Sequence, residues 1–500
     1  MLLSMSLSVS CSKWLEVLPK QEQITPNFWK TKEDVESVLG AGYLRLRNAL
    51  PTIVNWSELR GGSLYAANSV TLQKFQNFQT TSLDKIADWT LFYEMIGMAN
   101  SVIQYAPEVQ EIDETYLEVA MKSHLTEAYF LRALGHFYLL RNFKEVPIIT
   151  APYVDDTAPF EVAKSSEAEI VAQIKADITA ALETGAAKEF FESNSWEGAS
   201  KGRATKWALY ALMADVCLWN GDYEECVTYT DLLINATANR RPAFIVASDQ
   251  WYEIFYPGNS NEAIFELNWS GESGFGQVEG SASSIFSTAA TAEYRYGTLM
   301  AERLLEETNL GSVRAQWGAY LDINALGTLE DFRVWKYWGM GMEDAAAVRP
   351  FSDGNWIMYR MADVILMKAE ALICQGSGNY QAAKELMDRV RTRAGMPALN
   401  IDAGSADEIE MLEALFNERD MEFAAEGKRW YDLLRFSRLQ NGAYKELVID
   451  KIVENSMTGN ERWVRSALAN EYAWYLPIFE NELIANTLLV QNPYYGTTPN

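Results

Sequence analysis

Apolar residues recur every three or four positions through long stretches of this chain, a spacing that predicts amphipathic helices over 122–140, 168–182, 205–219, 223–234, 357–374 and 380–393. Two helix pairs read as copies of one unit. Ala214, Cys217, Gly221 and Tyr223 find counterparts in Ala371, Cys374, Gly378 and Tyr380, each set being a helix end, a glycine-containing turn and an aromatic that opens the next helix. Small residues let the helices approach, glycine ends the first and tyrosine fills the gap, which is how a tetratricopeptide-like hairpin works. Between 235 and 355 the helical period fades, Gly, Ser, Asn and aromatic residues rise, and runs such as Ala263-Ile-Phe-Glu-Leu-Asn-Trp269 predict strands or loop edges. The pattern therefore predicts a mostly α chain: a tetratricopeptide-like helical-hairpin scaffold (an α-α superhelix) with a loop-rich, irregular insertion containing short strands. Helical hairpins would occupy 12–234 and 356–500 of one domain, with specificity carried by 235–355, since rigid repeats can hold loops that vary.

Near the C-terminus the period is crowded with charge. In Asn417-Glu-Arg-Asp-Met-Glu-Phe-Ala-Ala-Glu-Gly-Lys-Arg-Trp-Tyr-Asp-Leu-Leu-Arg435, Phe416, Arg419, Phe423, Trp430 and Leu434 fall on neighbouring helical faces. Glu418, Glu422 and Glu426 sit four apart, in reach of Arg419, Lys428 or Arg429. Such density suggests a structural knot and not a catalytic centre. A second motif, Leu476-Pro-Ile-Phe-Glu-Asn-Glu-Leu-Ile-Ala-Asn486 followed by Gln491-Asn-Pro-Tyr-Tyr495, closes the chain. Together these motifs resemble the signature of the SusD/RagB family, the nutrient-binding lipoproteins of the Bacteroidota outer membrane. The resemblance continues through Asp88–Asn100, Glu127–Ala133, Gly202–Lys206 and Arg360–Ala371, and so spans nearly the whole chain. Two departures fall in loops: Lys144 stands where the family usually has Gly before a Val-Pro, and Phe479 where a second Pro is usual.

The resemblance implies a cell-surface protein that captures an oligosaccharide or polysaccharide and presents it to a SusC-like TonB-dependent transporter, binding without making or breaking bonds. Peptides or host-derived glycan fragments are alternative cargoes, and a protein-binding helical-repeat adaptor is an alternative of another class. The first eleven residues fit this picture. Met1-Leu-Leu-Ser-Met-Ser-Leu-Ser-Val-Ser-Cys11 looks like the tail of a lipoprotein signal peptide, although it lacks a basic leader, so the true start is expected upstream or at another Met. Cys11 is then the lipidated residue and the N-terminal lipid the link to the outer membrane. Two or three acyl chains, at about 0.8 kcal/mol per buried methylene, would anchor stably.

Composition narrows the chemistry. With 68 acidic against 42 basic residues, the formal charge of −26 repels polyphosphate, which argues against nucleic acid as a partner. Four cysteines are too few and too scattered for a disulfide framework, and two histidines, His124 and His136, both in apolar helical stretches, give little material for a metal or triad site. No cofactor or metal is expected. No nucleophile elbow appears, and the glycine-rich run Gly274–Gly280 lacks the lysine and following helix of a phosphate loop. Aromatics are more suggestive: 16 Trp, 25 Tyr and 21 Phe, many outside the helical patterns. A sugar ring offers an apolar C–H face and a rim of hydroxyls, so its sites pair a flat ring with Asn, Gln, Asp or Arg. Three segments have that mix. Asn55–Asn68 supplies Trp56, Arg60, Tyr65 and Asn68, in a loop that the resemblance sets against ligand, though Gly62 replaces a common Asp. Glu293–Tyr296 supplies Tyr294 and Tyr296, and Phe332–Trp338 supplies Trp335 and Trp338. Trp89 and Tyr93, at helical spacing, are expected to pack.

Overall fold

The computed structural model describes residues 28–153, 161–191, 199–271, 279–287, 293–324, 329–340, 347–456 and 459–496. Single turns aside, its helices are α1 (Lys32–Asn48), α2 (Leu50–Glu58), α3 (Val70–Gln76), α4 (Thr90–Ile112), α5 (Glu118–Phe143), α6 (Glu167–Glu183), α7 (Lys206–Asn220), α8 (Tyr223–Ile234), α9 (Thr298–Asn309) and α10 (Val313–Gly318). There follow α11 (Met361–Cys374), α12 (Tyr380–Arg393), α13 (Glu408–Glu422), α14 (Arg429–Gly442), α15 (Lys445–Glu454), α16 (Glu461–Ala469) and α17 (Glu480–Ala485). The short strands are β1 (Leu64–Ala66), β2 (Ala263–Leu267), β3 (Tyr294–Tyr296), β4 (Ala319–Ile323), β5 (Leu329–Val334) and β6 (Trp356–Arg360). They pair antiparallel as β1–β3, β2–β6 and β4–β5.

Helices pack in a relay: α1 on α4, α4 on α5, α5 on α6, α6 on α7, α7 on α8, α8 on α11, and α11 on both α12 and α13. The step from α8 to α11 crosses the whole of 235–355, so the superhelix is continuous beneath the insertion. Local signals mark its boundaries. Thr31 and Ser166 close capping boxes on α1 and α6, Thr205 caps α7, and Gly221 ends α7 at φ +81°. The core residues of α5 run almost all the way round, from Phe130 to Phe143, because α4 and α6 cover it from two sides.

Four details differ from the sequence pattern. The stretch 357–374 is two elements: Trp356–Arg360 is a buried strand paired with β2, and the helix begins at Met361. Gly378 does not end α11; the left-handed residue is Gly376 at φ +108°, in a turn longer than that after α7. Tyr380 is a buried wedge, whereas Tyr223 is only half-buried. The insertion is also less irregular than its composition implies, since it holds α9 and α10. His124 and His136 are buried in helix packing, each pulled by burial down to a pKa of about 4, with ring nitrogens on the Tyr116 hydroxyl and the Arg132 carbonyl oxygen.

The acidic C-terminal motif does form a knot, but its partners are remote. Glu418 meets Arg314 and Arg391; Glu422 meets Arg314, Arg360 and Arg393; Glu426 meets Arg360 and Lys336. Arg419 joins Asp363 and Asp432, and Lys428 also reaches Asp363. Burial opposes ionisation here, yet Arg393, Arg360 and Arg314 hold Glu422 down to about 2, and Lys428 and Arg419 do the same for Asp363. Glu58, at the end of α2, is the exception. Burial pushes its carboxyl up to about 8 although it accepts from the Gly427 and Lys428 amides, at 2.5 and 3.2 Å, and its other oxygen is buried without a partner. A carboxyl whose folded pKa lies above its unfolded value contributes most below the unfolded pKa and loses that contribution as pH climbs toward the folded one. Glu58→Gln is therefore expected to flatten the fall in melting temperature between about pH 5 and 9, with the variant melting above the parent at the alkaline end. A constant offset between the two across that range would show that Glu58 is ionised throughout.

Candidate functional site

Two small antiparallel pairs of strands carry the sequence-predicted aromatics, and the two-residue period of a strand decides which of them face out. In the β1–β3 pair, Leu64 faces Tyr296, Tyr65 faces Arg295 and Ala66 faces Tyr294. Tyr294 and Tyr296 share the inner side: both are buried, with hydroxyls donating to Asn55 Oδ1 at 2.7 Å and to the Gly318 carbonyl oxygen at 3.2 Å. Tyr65 and Arg295 take the other side. Tyr65 is half-buried, its pKa raised by burial, and its ring lies 6.2 Å from that of Phe332 on β5.

The β4–β5 hairpin extends this surface. Its register sets Tyr320 opposite Arg333 and Asp322 opposite Asp331 on one face, Leu321 opposite Phe332 on the other. Tyr320 is 41% exposed, lies 5.6 Å from the half-buried Trp335 in a tilted pair, and carries the Arg333 guanidinium 5.2 Å above its ring. Asp331 joins Arg333 to the buried Arg295, whose Nε lies 3.1 Å from it. The hairpin thus presents an aromatic pair on each face, Tyr65–Phe332 and Tyr320–Trp335, linked by an Arg–Asp–Arg chain. Rings supply flat apolar contact, and the chain supplies donors and acceptors in fixed directions.

The other predicted residues sit elsewhere. Trp56 is fully buried, stacked 5.1 Å from Phe92, with its indole N–H donating to the Ile86 carbonyl at 2.6 Å. Arg60 is buried beneath Trp430, 4.1 Å from its ring, donating to the Trp474 carbonyl oxygen, and burial lowers its pKa to about 10. Both are core residues because α14 covers α2, which carries Trp56, and the turn Leu59–Gly61 after it, which carries Arg60. Trp338 is half-buried and spends its N–H on the Phe286 carbonyl oxygen; Asn68 is exposed beside β1. Cys11 and most of the glycine-rich run at 274–280 lie outside the described residues. Tyr320 pairs with Trp335 on one face of the hairpin, and Phe332 pairs with Tyr65 on the other. Tyr320 was not among the predicted residues, and the apolar–polar alternation of Ala-Tyr-Leu-Asp-Ile over 319–323 is the signal that marks it. Among concave features, a cleft of about 620 Å³ lies between the first half of α4, Pro147–Tyr153 and α17, bordered by Trp89, Tyr93 and Met98. Trp89 itself is packed, edge-on to Tyr93 and Phe143.

Comparison with known proteins adds the family. The model described as the SusD family matches residues 319–495, and that described as "Starch-binding associating with outer membrane" matches 13–218. The chain thus resembles the SusD family over both matched parts. SusD-like protein P38 of Formosa agariphila is 28% identical over 505 residues, covering 90% of this chain and 93% of that protein. A SusD superfamily protein from Bacteroides thetaiotaomicron superposes with a TM-score of 0.71 at 22% identity, over 93% of this chain and 99% of that one. A laminarin binding SusD-like protein superposes at 0.68, also at 22% identity, over 93% and 100%. The sequence-predicted family and its mostly helical, tetratricopeptide-like scaffold hold.

Within this scaffold, Trp56 and Tyr296 are expected to behave as core. Truncating either to Ala should cost about 3 to 5 kcal/mol of folding free energy in urea titration. A loss under about 1 kcal/mol at both would mean that the rings are not packed as described.

Proposed function

We propose that this SusD-like protein is a surface-facing outer-membrane lipoprotein that binds an oligosaccharide and passes it to a SusC-like TonB-dependent transporter, without bond chemistry of its own. The observation that carries the reading is the Tyr320–Trp335 pair, its tyrosine exposed, under Arg333, which Asp331 links to Arg295. A pyranose laid on the tilted pair would set its C–H face against the rings and its hydroxyl rim against the guanidinium and carboxylate. Support comes from the matched description of starch binding at the outer membrane and from a structural neighbour that binds laminarin. Peptide or host-glycan cargo is the second reading, since guanidinium and carboxylate groups serve peptides equally well.

A strained or gated site is not required. The hairpin is packed against α9, α10 and β3, so the rings are already oriented and binding costs little ordering entropy. In the proposed complex the transporter closes over the loaded face, and ligand leaves when the two partners open. A permanent pair would bury well over about 2,000 Å². The lipid on Cys11 would hold the protein at the bilayer while it opens, since no described helix is long and apolar enough to cross a membrane.

Calorimetric titration of purified polysaccharides tests the platform. Tyr320→Ala, Trp335→Ala and Tyr65→Ala should each weaken binding of the cognate saccharide by about 1 to 3 kcal/mol, roughly 5- to 150-fold, with the melting temperature nearly unchanged. Parental affinity in all three variants would move the ligand off the hairpin, and the cleft beside Tyr93 would be the next surface to probe. The anchor has its own test. With a complete signal peptide and no transporter, Cys11→Ala should leave the membrane fraction while remaining folded; a variant that still sediments with outer membranes overturns the lipid link.

A further inference from the structure

A second pocket, separate from the hairpin, lies where α14 ends, where α15 begins and where the chain leaves α5. It encloses about 400 Å³, and Lys144, Arg438 and Lys445 line it together with Glu167, Glu471 and Tyr475. Three cations around one small cavity stand out in a chain whose formal charge is −26. Their pairing is incomplete. Arg438 gives one nitrogen to Glu167 Oε1 at 2.6 Å, and the same oxygen also accepts from the Trp219 indole at 3.0 Å, so Arg438 shares that acceptor. The other terminal nitrogen of Arg438 is buried without a partner. Lys445 donates only to the Ala469 carbonyl oxygen, at 3.1 Å, and the Lys144 ammonium rests over the rings of Tyr472 and Tyr475 at 5.2 and 5.7 Å.

Backbone geometry points the same way. Lys144 holds φ +69° and ψ −53°, a conformation that costs a residue with a Cβ and that glycine adopts freely. What lysine contributes at this position is therefore its side chain, which reaches the pocket. Across the cavity, α14 ends in two consecutive left-handed residues, Gln440 and Asn441, and Asn441 is also part of the wall. Strain on both sides of a cationic cavity is the arrangement expected where donors are held ready for a ligand.

We propose that this pocket is an anion subsite that takes a carboxylate or sulfate group, supplied by an acidic sugar or by the free ion. The unpartnered Arg438 nitrogen and the two ammonium groups provide charge-assisted donors to such a group, and Glu471 at the rim disfavours anything more strongly charged. The site does not depend on the aromatic hairpin, because the probes are different: acidic monosaccharides and ions here, neutral glycans there.

Lys144→Gly is the decisive variant, since it removes the donor and relieves the backbone at once. Calorimetry at low salt with sodium glucuronate, glucose and sodium sulfate, on parent and variant, reads the outcome. Glucuronate should bind the parent and glucose should not, and added salt should weaken binding. In Lys144→Gly, glucuronate affinity should fall by about fivefold or more while the melting temperature rises, a combination that a purely structural lysine would not give. Sulfate binding as tightly as glucuronate would assign the site to the anionic group alone, and sulfate failing to bind would assign it to the uronate; either supports the subsite. Equal binding of glucose and glucuronate, no binding of either anion, or unchanged affinity in Lys144→Gly overturns it. Lys445→Ala, which leaves the backbone alone, gives an independent reading of the same loss.

Discussion

The insertion is tied to the last hairpins of the helical relay by one buried cluster of charge. Arg314, Arg360, Arg393, Lys336 and Arg391 face Glu262, Glu307, Glu418, Glu422 and Glu426 across distances of 2.5 to 3.3 Å, and all but Arg391 and Glu307 are almost wholly removed from water. Five cations balance five carboxylates. In a low-dielectric interior such a set is stable only as a set: each ion has lost several kcal/mol of hydration, and removing one partner costs about 3 to 5 kcal/mol because its counter-charge is stranded. Arginine suits the role, since its planar fork can serve two or three carboxylates at once, as Arg360 does with Glu262, Glu422 and Glu426.

The membership of the cluster explains what it does for the fold. Glu418, Glu422 and Glu426 belong to α13 and the turn after it, Arg393 to the end of α12, and Arg360 to the last residue of β6. Glu262, Glu307, Arg314 and Lys336 all come from the insertion. A loop-rich segment of low periodicity cannot generate a hydrophobic core of its own, and here directional ion pairs fix it to the last hairpins of the superhelix. Lys336 is the link nearest to the aromatic surface: it follows Trp335, meets Glu426, and is succeeded by Tyr337, whose hydroxyl donates to the Ala425 carbonyl. Trp335 is thus the immediate neighbour of a residue held in the cluster, and Phe332 lies four residues before it.

Helix positions were legible in the sequence because their information is local. Spacing, caps and glycine turns located α5 to α8 and α12 to within a few residues, and the charged motif announced itself as structural by density alone. The partners of that motif were not legible. Periodicity suggests pairing at four residues, but Glu422 spends Oε1 on Arg360 and Arg393 and Oε2 on Arg314, which lie in other elements. Burial selects these partners, since a guanidinium inside the protein must find carboxylates wherever the fold brings them. The same limit split 357–374: Arg360 is drawn into the cluster in an extended conformation, φ −142° and ψ 166°, so the helix cannot start before Met361.

The aromatics show the sharper boundary between what a sequence can and cannot tell. Composition correctly marked 293–296 and 332–338 as rich in rings, yet it could not say which rings face water. Strand register does. Tyr294 and Tyr296 are two apart and therefore share one side, while Tyr65 and the buried Arg295 share the other. On the hairpin, Tyr320 and Arg333 are opposite partners, which is why a cation comes to lie over that ring and not over Phe332. Trp56 fails as a platform for the complementary reason: it sits on a helix whose neighbours close every face, so its large ring contributes by filling volume. A ring becomes a binding surface only where an element has one side with nothing packed on it, and the β4–β5 hairpin leaves such a side at Tyr320.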